Sequence, residues 1–312
     1  MTTTRLPGAE AEAELLTVVP RRSPVQIVGT LVVLVLGAML VNTLITNERF
    51  EWDIVAQYLT VEAILRGALL TVELTVISMV LGVVLGVVLA VMRLSRSRLL
   101  AGISFAFVWF FRGTPLLIQL IFWFNLSALY PQLSLGIPFG PEFVSGSSNA
   151  FITPFVAAVL GLTLNEAAYM AEIVRGGLLG VDRGQTAAAQ ALGMSRTLTL
   201  RRIVLPQAMR IIVPPTANQT VSMLKNTSLV SVLGAAELLH SAQIIYSRTY
   251  ETIPLLIVAA LWYLAMTTVL SVGQYYVERY YGRGDIGAGR AKRRGSKPAA
   301  RTPTIDRSEL PS

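Results

Sequence analysis

Polar side chains recur at helical spacing in two apolar stretches of the chain. The first stretch carries Asn165, Tyr169 and Glu172, and the second carries Asn218, Ser222 and Lys225. Side chains four and seven residues apart share one face of an α-helix, so each set predicts a polar stripe. One stripe ends in a carboxylate and the other in an ammonium. Two facing stripes of this kind would suit the ammonium and carboxylate groups of an amino acid.

Each charged end of these stripes also has a structural interpretation. Glu172 would pair with Arg175 at the cytoplasmic interface, and Lys225 would pack against loop carbonyls. Ionisable groups inside a membrane are costly and face a bundle interior or a water-filled cavity, which favours a functional interpretation. The sequence leaves both interpretations open.

Several kinds of enzyme chemistry are excluded by composition. The chain has no cysteine and a single histidine, so it forms no disulfide, no thiolate nucleophile and no cysteine-bearing zinc site. A nucleotide-binding P-loop needs lysine followed by serine or threonine, whereas the three lysines here, Lys225, Lys292 and Lys297, precede Asn, Arg and Pro. If ATP drives this protein, a partner binds it.

The elements that position the polar stripes are membrane spans. Hydrophobic residues make up 53% of the chain and charged residues 14%, whereas soluble domains carry about 25% charged residues. Crossing the hydrocarbon core as a helix takes about 20 apolar residues. Apolar runs of about that length, with few or no charges, predict six spans, at residues 25–46, 67–92, 114–130, 150–173, 214–236 and 253–277. The third is preceded by an interfacial segment, residues 99–111, and a break at Arg112, Gly113 and Pro115.

The arginines orient these spans. Short cytoplasmic loops carry an excess of Arg and Lys. The basic groups at residues 21–22, 93–98, 175–210 and 283–307 all fall on one side if the chain crosses six times. Both termini are therefore expected in the cytoplasm, and the basic tail is interpreted as a disordered cytoplasmic tail that binds no nucleic acid.

The longest predicted cytoplasmic segment, residues 176–213, has the pattern of a helical hairpin. Residues 185–192 are rich in alanine, and Gly193 can end that helix in a left-handed cap. A second amphipathic stretch runs from Ser195 to Val204, where we expect Pro206 to stop it. Such a hairpin can enter a groove on another protein or lie on anionic lipid, and the pattern alone does not decide.

The hairpin residues resemble the EAA loop of permease subunits of binding-protein-dependent ABC importers. The family pattern is Glu-Ala-Ala, a glycine six residues after the Glu, and Ile-x-Leu-Pro beginning ten residues beyond that glycine. The corresponding positions are Gly184, Gln185, Ala187, Ala188, Ala191, Leu192, Gly193, Ile203, Leu205 and Pro206. Flanking motifs resemble the polar amino acid branch, which handles histidine, arginine, glutamine or glutamate. They begin at Arg112, Ala168, Arg175, Leu205 and Lys225.

One position departs from the family pattern. Ala187 occupies the place of the signature glutamate, which in the family contributes to contact with the ATPase. We therefore expect contact here to depend more on apolar packing of Ala188, Ala191 and Leu192.

The resemblance implies a fold, partners and a mechanism. The fold class is an all-α transmembrane bundle, with a five-helix importer core at residues 59–281 and one extra helix with its outer loop at residues 25–58, between tails at residues 1–24 and 282–312. The implied partners are two ATPase subunits that bind ATP-Mg, a second permease, identical or related, and an extracytoplasmic solute-binding protein. This chain itself would bind no cofactor and would sit in the lipid of the cytoplasmic membrane.

Two other classes stay open on the sequence. A stand-alone secondary transporter or channel would be expected to show two matching halves with broken helices, and no such repeat is visible. A membrane enzyme would need a nucleophile, base or metal cluster, and none is convincing.

Overall fold

The computed structural model of the chain describes residues 24–137 and 142–281. The predicted tails before residue 24 and after residue 281 lie outside the described residues. Two compact units are present, Met1–Trp52 and Asp53–Ser312.

The first unit contains one long apolar helix, α1 (Pro24–Thr46). It has no charged residue, and its side chains are exposed on every face, as expected of a helix that meets lipid all round. After a short 3-10 turn, the indole of Trp52 donates a hydrogen bond of 2.8 Å to the carbonyl of Leu44. The predicted first span is thus a helix of the predicted length.

The remaining elements are mostly helices. In chain order they are α2 (Trp52–Tyr58), α3 (Glu62–Arg93), α4 (Arg98–Gly113), α5 (Leu116–Phe124), α6 (Leu126–Leu129), β1 (Gln132–Gly136), β2 (Glu142–Ser147), α7 (Ser148–Phe151), α8 (Pro154–Leu179), α9 (Arg183–Ala191), α10 (Arg196–Thr199), α11 (Leu205–Asn226), α12 (Leu238–Thr249) and α13 (Thr252–Tyr281). A π-helical segment, Leu200–Val204, joins α10 to α11, and a 3-10 segment, Thr227–Leu233, follows α11.

Four of the described helices, α1, α3, α8 and α13, are long and apolar enough to cross a membrane. Two bent pairs pass the same test. One is α4 with α5, at an angle of 102°, and the other is the helical run Arg196–Leu233 with α12, at 44°. The all-helical bundle predicted from sequence is confirmed, with between four and six candidate spans.

A small β-hairpin is the one sheet within the described ranges. Strands β1 and β2 pair antiparallel, with Ser134 opposite Ser145. They lie in the loop between the third and fourth predicted spans, which has no basic residue, and no strand was predicted there.

Helices α3 and α8 form the centre of the second unit and run parallel. A Cβ atom built on Gly82 would lie 2.8 Å from Glu166 Cγ, and one built on Gly86 would lie 2.5 Å from Met170 Cβ. Four residues further along α3, from Gly82 to Gly86, the contact has moved four residues further along α8, from Glu166 to Met170. The two helices therefore run in the same direction. Gly82 and Gly86 therefore form the packing notch that their small-xxx-small spacing predicts, because no side chain fits between the helices there.

Two expectations about prolines are wrong. Pro214 and Pro215 lie inside α11 instead of starting the fifth span, since buried Ala208, Ile212 and Val221 keep the helix packed on both sides of the pair. Neighbouring helices commonly allow prolines inside membrane helices.

Pro206 does not stop the helix before it. It lies in the first turn of α11, where a missing N–H is tolerated, and the preceding residues form the π-helical segment. The Leu205 N–H bonds to the carbonyl of Leu200, so the helical run continues from Arg196 to Asn226.

Candidate functional site

The predicted hairpin is present and is built by local caps. The side chain of Asp182 accepts a hydrogen bond of 2.6 Å from the Gly184 N–H and starts α9. Gly193 follows α9 with φ +77°, and its N–H bonds to the Gln190 carbonyl at 2.9 Å. Only glycine and a few polar residues adopt that conformation without strain, so the predicted left-handed cap is confirmed. Ser195 then caps α10.

The outer surface of the hairpin is apolar and unpartnered in the single chain. Leu192 is 83% exposed, and Ala187, Ala188 and Ala191 are exposed beside it, whereas Ala189 is buried. Of the other predicted loop residues, Gly184, Gln185, Leu205 and Pro206 are exposed and Ile203 is half-buried. An exposed leucine next to alanines can pack into a partner's groove.

A cavity of about 490 Å³ lies among α4, α5, α8, α11 and the 3-10 segment. Its lining is polar and carries charges of both signs. The lining residues are Arg112, Gly113, Thr114, Pro115, Leu116, Asn165, Glu166, Tyr169, Gln219, Ser222, Asn226 and Leu229. Binding sites for small molecules are concave and have volumes of this order.

Half of the predicted pathway residues belong to this lining. Asn165, Tyr169 and Ser222 line the cavity, so the structure brings the α8 stripe and the α11 stripe together at these three positions. Asn218 and Lys225 are exposed and lie outside the lining. On α11 the cavity face is one residue further along the chain, at Gln219 and Asn226.

Glu172 lies outside the cavity and pairs with Arg175. The Arg175 Nη2 atom is 2.6 Å from Glu172 Oε2, and its Nε donates to both carboxylate oxygens at 3.2 Å. Glu172 is about two turns beyond Asn165 along α8, past the end of the lining. The ion pair is therefore the interpretation that the geometry supports for Glu172.

Glu166 is the carboxylate that the cavity contains. It is 4% exposed, interacts with the Gln219 side chain, and has an Oε1 atom with no hydrogen-bond partner among the described residues. Its signal in the sequence was a charge inside an apolar span, but its place between the stripe positions removed it from the predicted face. Gln219 and Asn226 were missed for the same reason, whereas Arg112 was interpreted as part of the break before the third span.

The 102° bend between α4 and α5 brings Arg112 to the cavity. The bend is held by Gln119, whose Nε2 donates to the carbonyls of Phe111 and Thr114 at 2.9 and 3.1 Å and to Thr114 Oγ1 at 2.8 Å. Asn165 of α8 donates to the Phe111 carbonyl at 3.0 Å. These bonds pair backbone groups that Pro115 and the bend leave without helical partners.

Arg112 lies over the ring of Tyr169, with its guanidinium carbon 5.2 Å from the ring centroid. An aromatic face attracts a cation at this distance. The contact places the positive charge at the α8 wall of the cavity.

Within the described ranges, no group of three or more His, Asp or Glu residues could hold a metal ion.

Apolar helices of membrane-spanning length around a polar cavity define the chain as a membrane transport component. The sequence matches the family described as "Binding-protein-dependent transport system inner membrane component" over residues 82–282. The chain belongs to this family and is a multi-pass protein of the cytoplasmic membrane.

Individual relatives agree with the family. The chain is 45% identical to the arginine transport system permease protein ArgU of Corynebacterium glutamicum, covering 89% of this chain and 87% of the relative. It is 36% identical to the L-cystine transport system permease protein TcyB of Bacillus subtilis, covering 73% and 90%. It is 31% identical to the glutamine transport system permease protein GlnP of Escherichia coli, covering 72% and 94%.

Solved structures give the same result. A chain of a structure titled "Crystal structure of an amino acid ABC transporter with histidines" superposes with a TM-score of 0.60 at 34% identity, covering 70% of this chain and 94% of that chain. A chain of the MetNI methionine ABC transporter superposes with a TM-score of 0.52 at 19% identity, which shows the shared fold. The resemblance to permease subunits of amino-acid ABC importers is confirmed, and the stand-alone transporter or channel is not supported.

Proposed function

We propose that this chain is the permease subunit of an ATP-driven importer for a polar amino acid with a cationic side chain, such as arginine. The cavity carries the proposal, because it places Arg112 and the buried Glu166 in one lining. The Arg112 guanidinium is a donor for the α-carboxylate. Glu166 and Asn165 supply acceptors for a cationic group. The 45% identity to an arginine permease supports the same class of substrate.

In this proposal the hairpin couples transport to ATP binding and hydrolysis in a partner. The chain has no P-loop, so ATP-Mg binds to a separate ATPase, and Ala188, Ala191 and Leu192 pack into a groove on it. Closing of two ATPase subunits on ATP moves the hairpins of two permeases, identical or related. This motion biases the bundle between outward-open and inward-open states, and a solute-binding protein delivers the amino acid on the outer side.

Six crossings with both termini in the cytoplasm complete the proposal. The two bent helix pairs would each form one span, and the basic groups would all face the cytoplasm. The hairpin is then cytoplasmic, as docking on an ATPase requires.

Uptake in proteoliposomes tests the function. The permease is co-purified with its ATPase partner, reconstituted with the solute-binding protein, and assayed for uptake of labelled L-arginine with and without ATP. Uptake should require ATP, the ATPase and the binding protein. Solute crossing through this chain alone would overturn the proposal.

A single introduced cysteine tests the topology. The chain has no cysteine, so Leu192→Cys gives one label site on an 83% exposed position. We expect a membrane-impermeant maleimide to label it only from the cytoplasmic side. Labelling from outside intact cells would overturn the docking of the hairpin on a cytoplasmic ATPase.

A further inference from the structure

The hydrogen bonds of the α4–α5 bend determine which way the Gln119 amide faces. Its Nε2 atom lies 2.9 Å from the Phe111 carbonyl and 3.1 Å from the Thr114 carbonyl. A carbonyl only accepts, so the group facing the two carbonyls must be the NH₂. The Gln119 Oε1 atom therefore faces the other way, toward α8.

That oxygen fixes the neighbouring amide in turn. Asn165 Nδ2 donates to Gln119 Oε1 at 3.2 Å and to the Phe111 carbonyl at 3.0 Å, so both of its N–H groups are used. Asn165 Oδ1 accepts no hydrogen bond in the part of the chain that the structure describes, and it is not among the buried unpartnered atoms. Since Asn165 lines the cavity, this oxygen is open to it.

Two groups on the α8 wall of the cavity therefore favour a cation on the substrate, Asn165 Oδ1 and the carboxylate of Glu166, the next residue along the chain. The ring of Tyr169, one turn on, is already occupied by the Arg112 guanidinium at 5.2 Å. Rotating the Asn165 amide by half a turn would replace its acceptor with a donor. It would then favour a neutral amide or urea group on the substrate.

We infer that Gln119, which is outside the lining of this cavity, is a positioning residue that sets the preference for a cationic over a neutral side chain by holding Asn165 Oδ1 toward the substrate. The inference rests on the proposed function, since it names the chemistry selected by the same cavity. Gln119 is 4% exposed and is already anchored to the bend, so its own amide has no freedom to turn.

The test compares binding of L-arginine, whose side chain ends in a charged guanidinium, with binding of L-citrulline, whose side chain ends in a neutral urea group. Binding is measured on the detergent-solubilised permease–ATPase complex without the solute-binding protein, because that protein makes its own selection. Gln119→Met removes every side-chain hydrogen bond at nearly constant length. Gln274→Met, on α13, is the matched control, since the hydrogen bond that the Gln274 side chain makes among the described residues goes to Glu278.

We expect the wild-type complex to prefer arginine. In Gln119→Met that preference should fall about tenfold, which is the factor expected for the loss of one hydrogen bond to a charged donor. Gln274→Met should keep it. A merely structural role for Gln119 would lower both affinities together and leave their ratio unchanged. An unchanged ratio in Gln119→Met would overturn the inference.

A further measurement decides the matter if Gln119→Met fails to assemble. In the Glu166→Gln complex the carboxylate is gone but Asn165 Oδ1 remains, so a residual preference for arginine over citrulline is expected. Equal binding of the two ligands there would overturn the role of Asn165 and with it that of Gln119. If the wild-type complex binds neither ligand, the proposed function itself fails. Equal binding of both ligands is a different result and contradicts only the inference about Gln119.

Discussion

The hydroxyl of Tyr263 donates a hydrogen bond of 2.7 Å to the carboxylate of Glu237, which is 0% exposed. The same carboxylate accepts from the N–H groups of Leu239 at 2.9 Å and His240 at 2.8 Å, and so caps α12. Thr71 of α3 lies 3.5 Å from Glu237 and accepts from the Leu238 N–H. One carboxylate thus links α3, α12 and α13, at a site separate from the cavity.

Removing the Tyr263 hydroxyl should destabilise the bundle without changing substrate selection. Tyr263→Phe takes one donor from a buried carboxylate, which costs about 1–3 kcal/mol of unfolding free energy. Denaturant unfolding of the purified permease complex in detergent measures the change. Tyr275→Phe, on an exposed part of α13, is the control and should be neutral. Equal stability of the two variants would show that the bond contributes nothing net.

The Gly86 notch should tolerate no side chain. In Gly86→Ala the new Cβ would meet Met170 Cβ at 2.5 Å and the Ala167 carbonyl at 3.0 Å, so α3 and α8 must separate. We expect a loss of about 1–3 kcal/mol of stability, measured by the same unfolding assay. Gly102→Ala on α4 has nothing within 4 Å and should gain about 0.5–1 kcal/mol from reduced backbone entropy. A neutral Gly86→Ala would contradict the close packing of these helices.

The two glutamates of α8 should differ in their effect on uptake. Glu166→Gln removes the buried cavity charge and should lower the affinity for arginine tenfold or more, the cost of about one charged hydrogen bond. Uptake of glutamine should change less. Glu172→Gln breaks a half-exposed pair with Arg175 outside the cavity and should leave both affinities within about twofold. A larger effect from Glu172→Gln would place that residue in the pathway instead.

Charge or bulk on the hairpin should stop ATP-driven uptake. Ala188→Arg places a long cation on the exposed apolar surface, and Gly193→Asp places a charge at the turn beside it. We expect both variants to insert in the membrane and to lose stimulated ATP turnover in lipid. Gly193→Asn is the control, because asparagine adopts the left-handed conformation readily. Normal uptake by Ala188→Arg would contradict docking through this surface.

Much of the fold follows from local signals that the sequence carries openly. Runs such as residues 253–277 are uncharged for the length of a span, and α13 occupies them. Gly193 ends its helix because the cap depends only on the turn beside it. The prolines misled the interpretation of α11, since their cost is offset by packing against α8, which is not visible in the sequence.

Only half of the predicted pathway residues line the cavity, because the rotation of α11 about its own axis was not predicted. Neighbouring residues point about 100° apart around a helix, so a rotation by less than that angle replaces Asn218 and Lys225 by Gln219 and Asn226 at the lining. The polar spacing alone does not set that rotation. The contact of Gly82 and Gly86 with Glu166 and Met170 sets the rotation of α8, and it places Glu166 between α3 and the cavity.

The sequence by itself determined the membrane location, the capped helical hairpin and the lack of a P-loop motif, because each depends on run length, on a local backbone conformation or on a contiguous motif. The tertiary structure alone decided that Glu166, and not Glu172, is the carboxylate of the cavity, and that the Gln119 amide orients Asn165. Those outcomes depend on contacts between helices that are distant in the chain, and on a bend whose angle is set by hydrogen bonds across it.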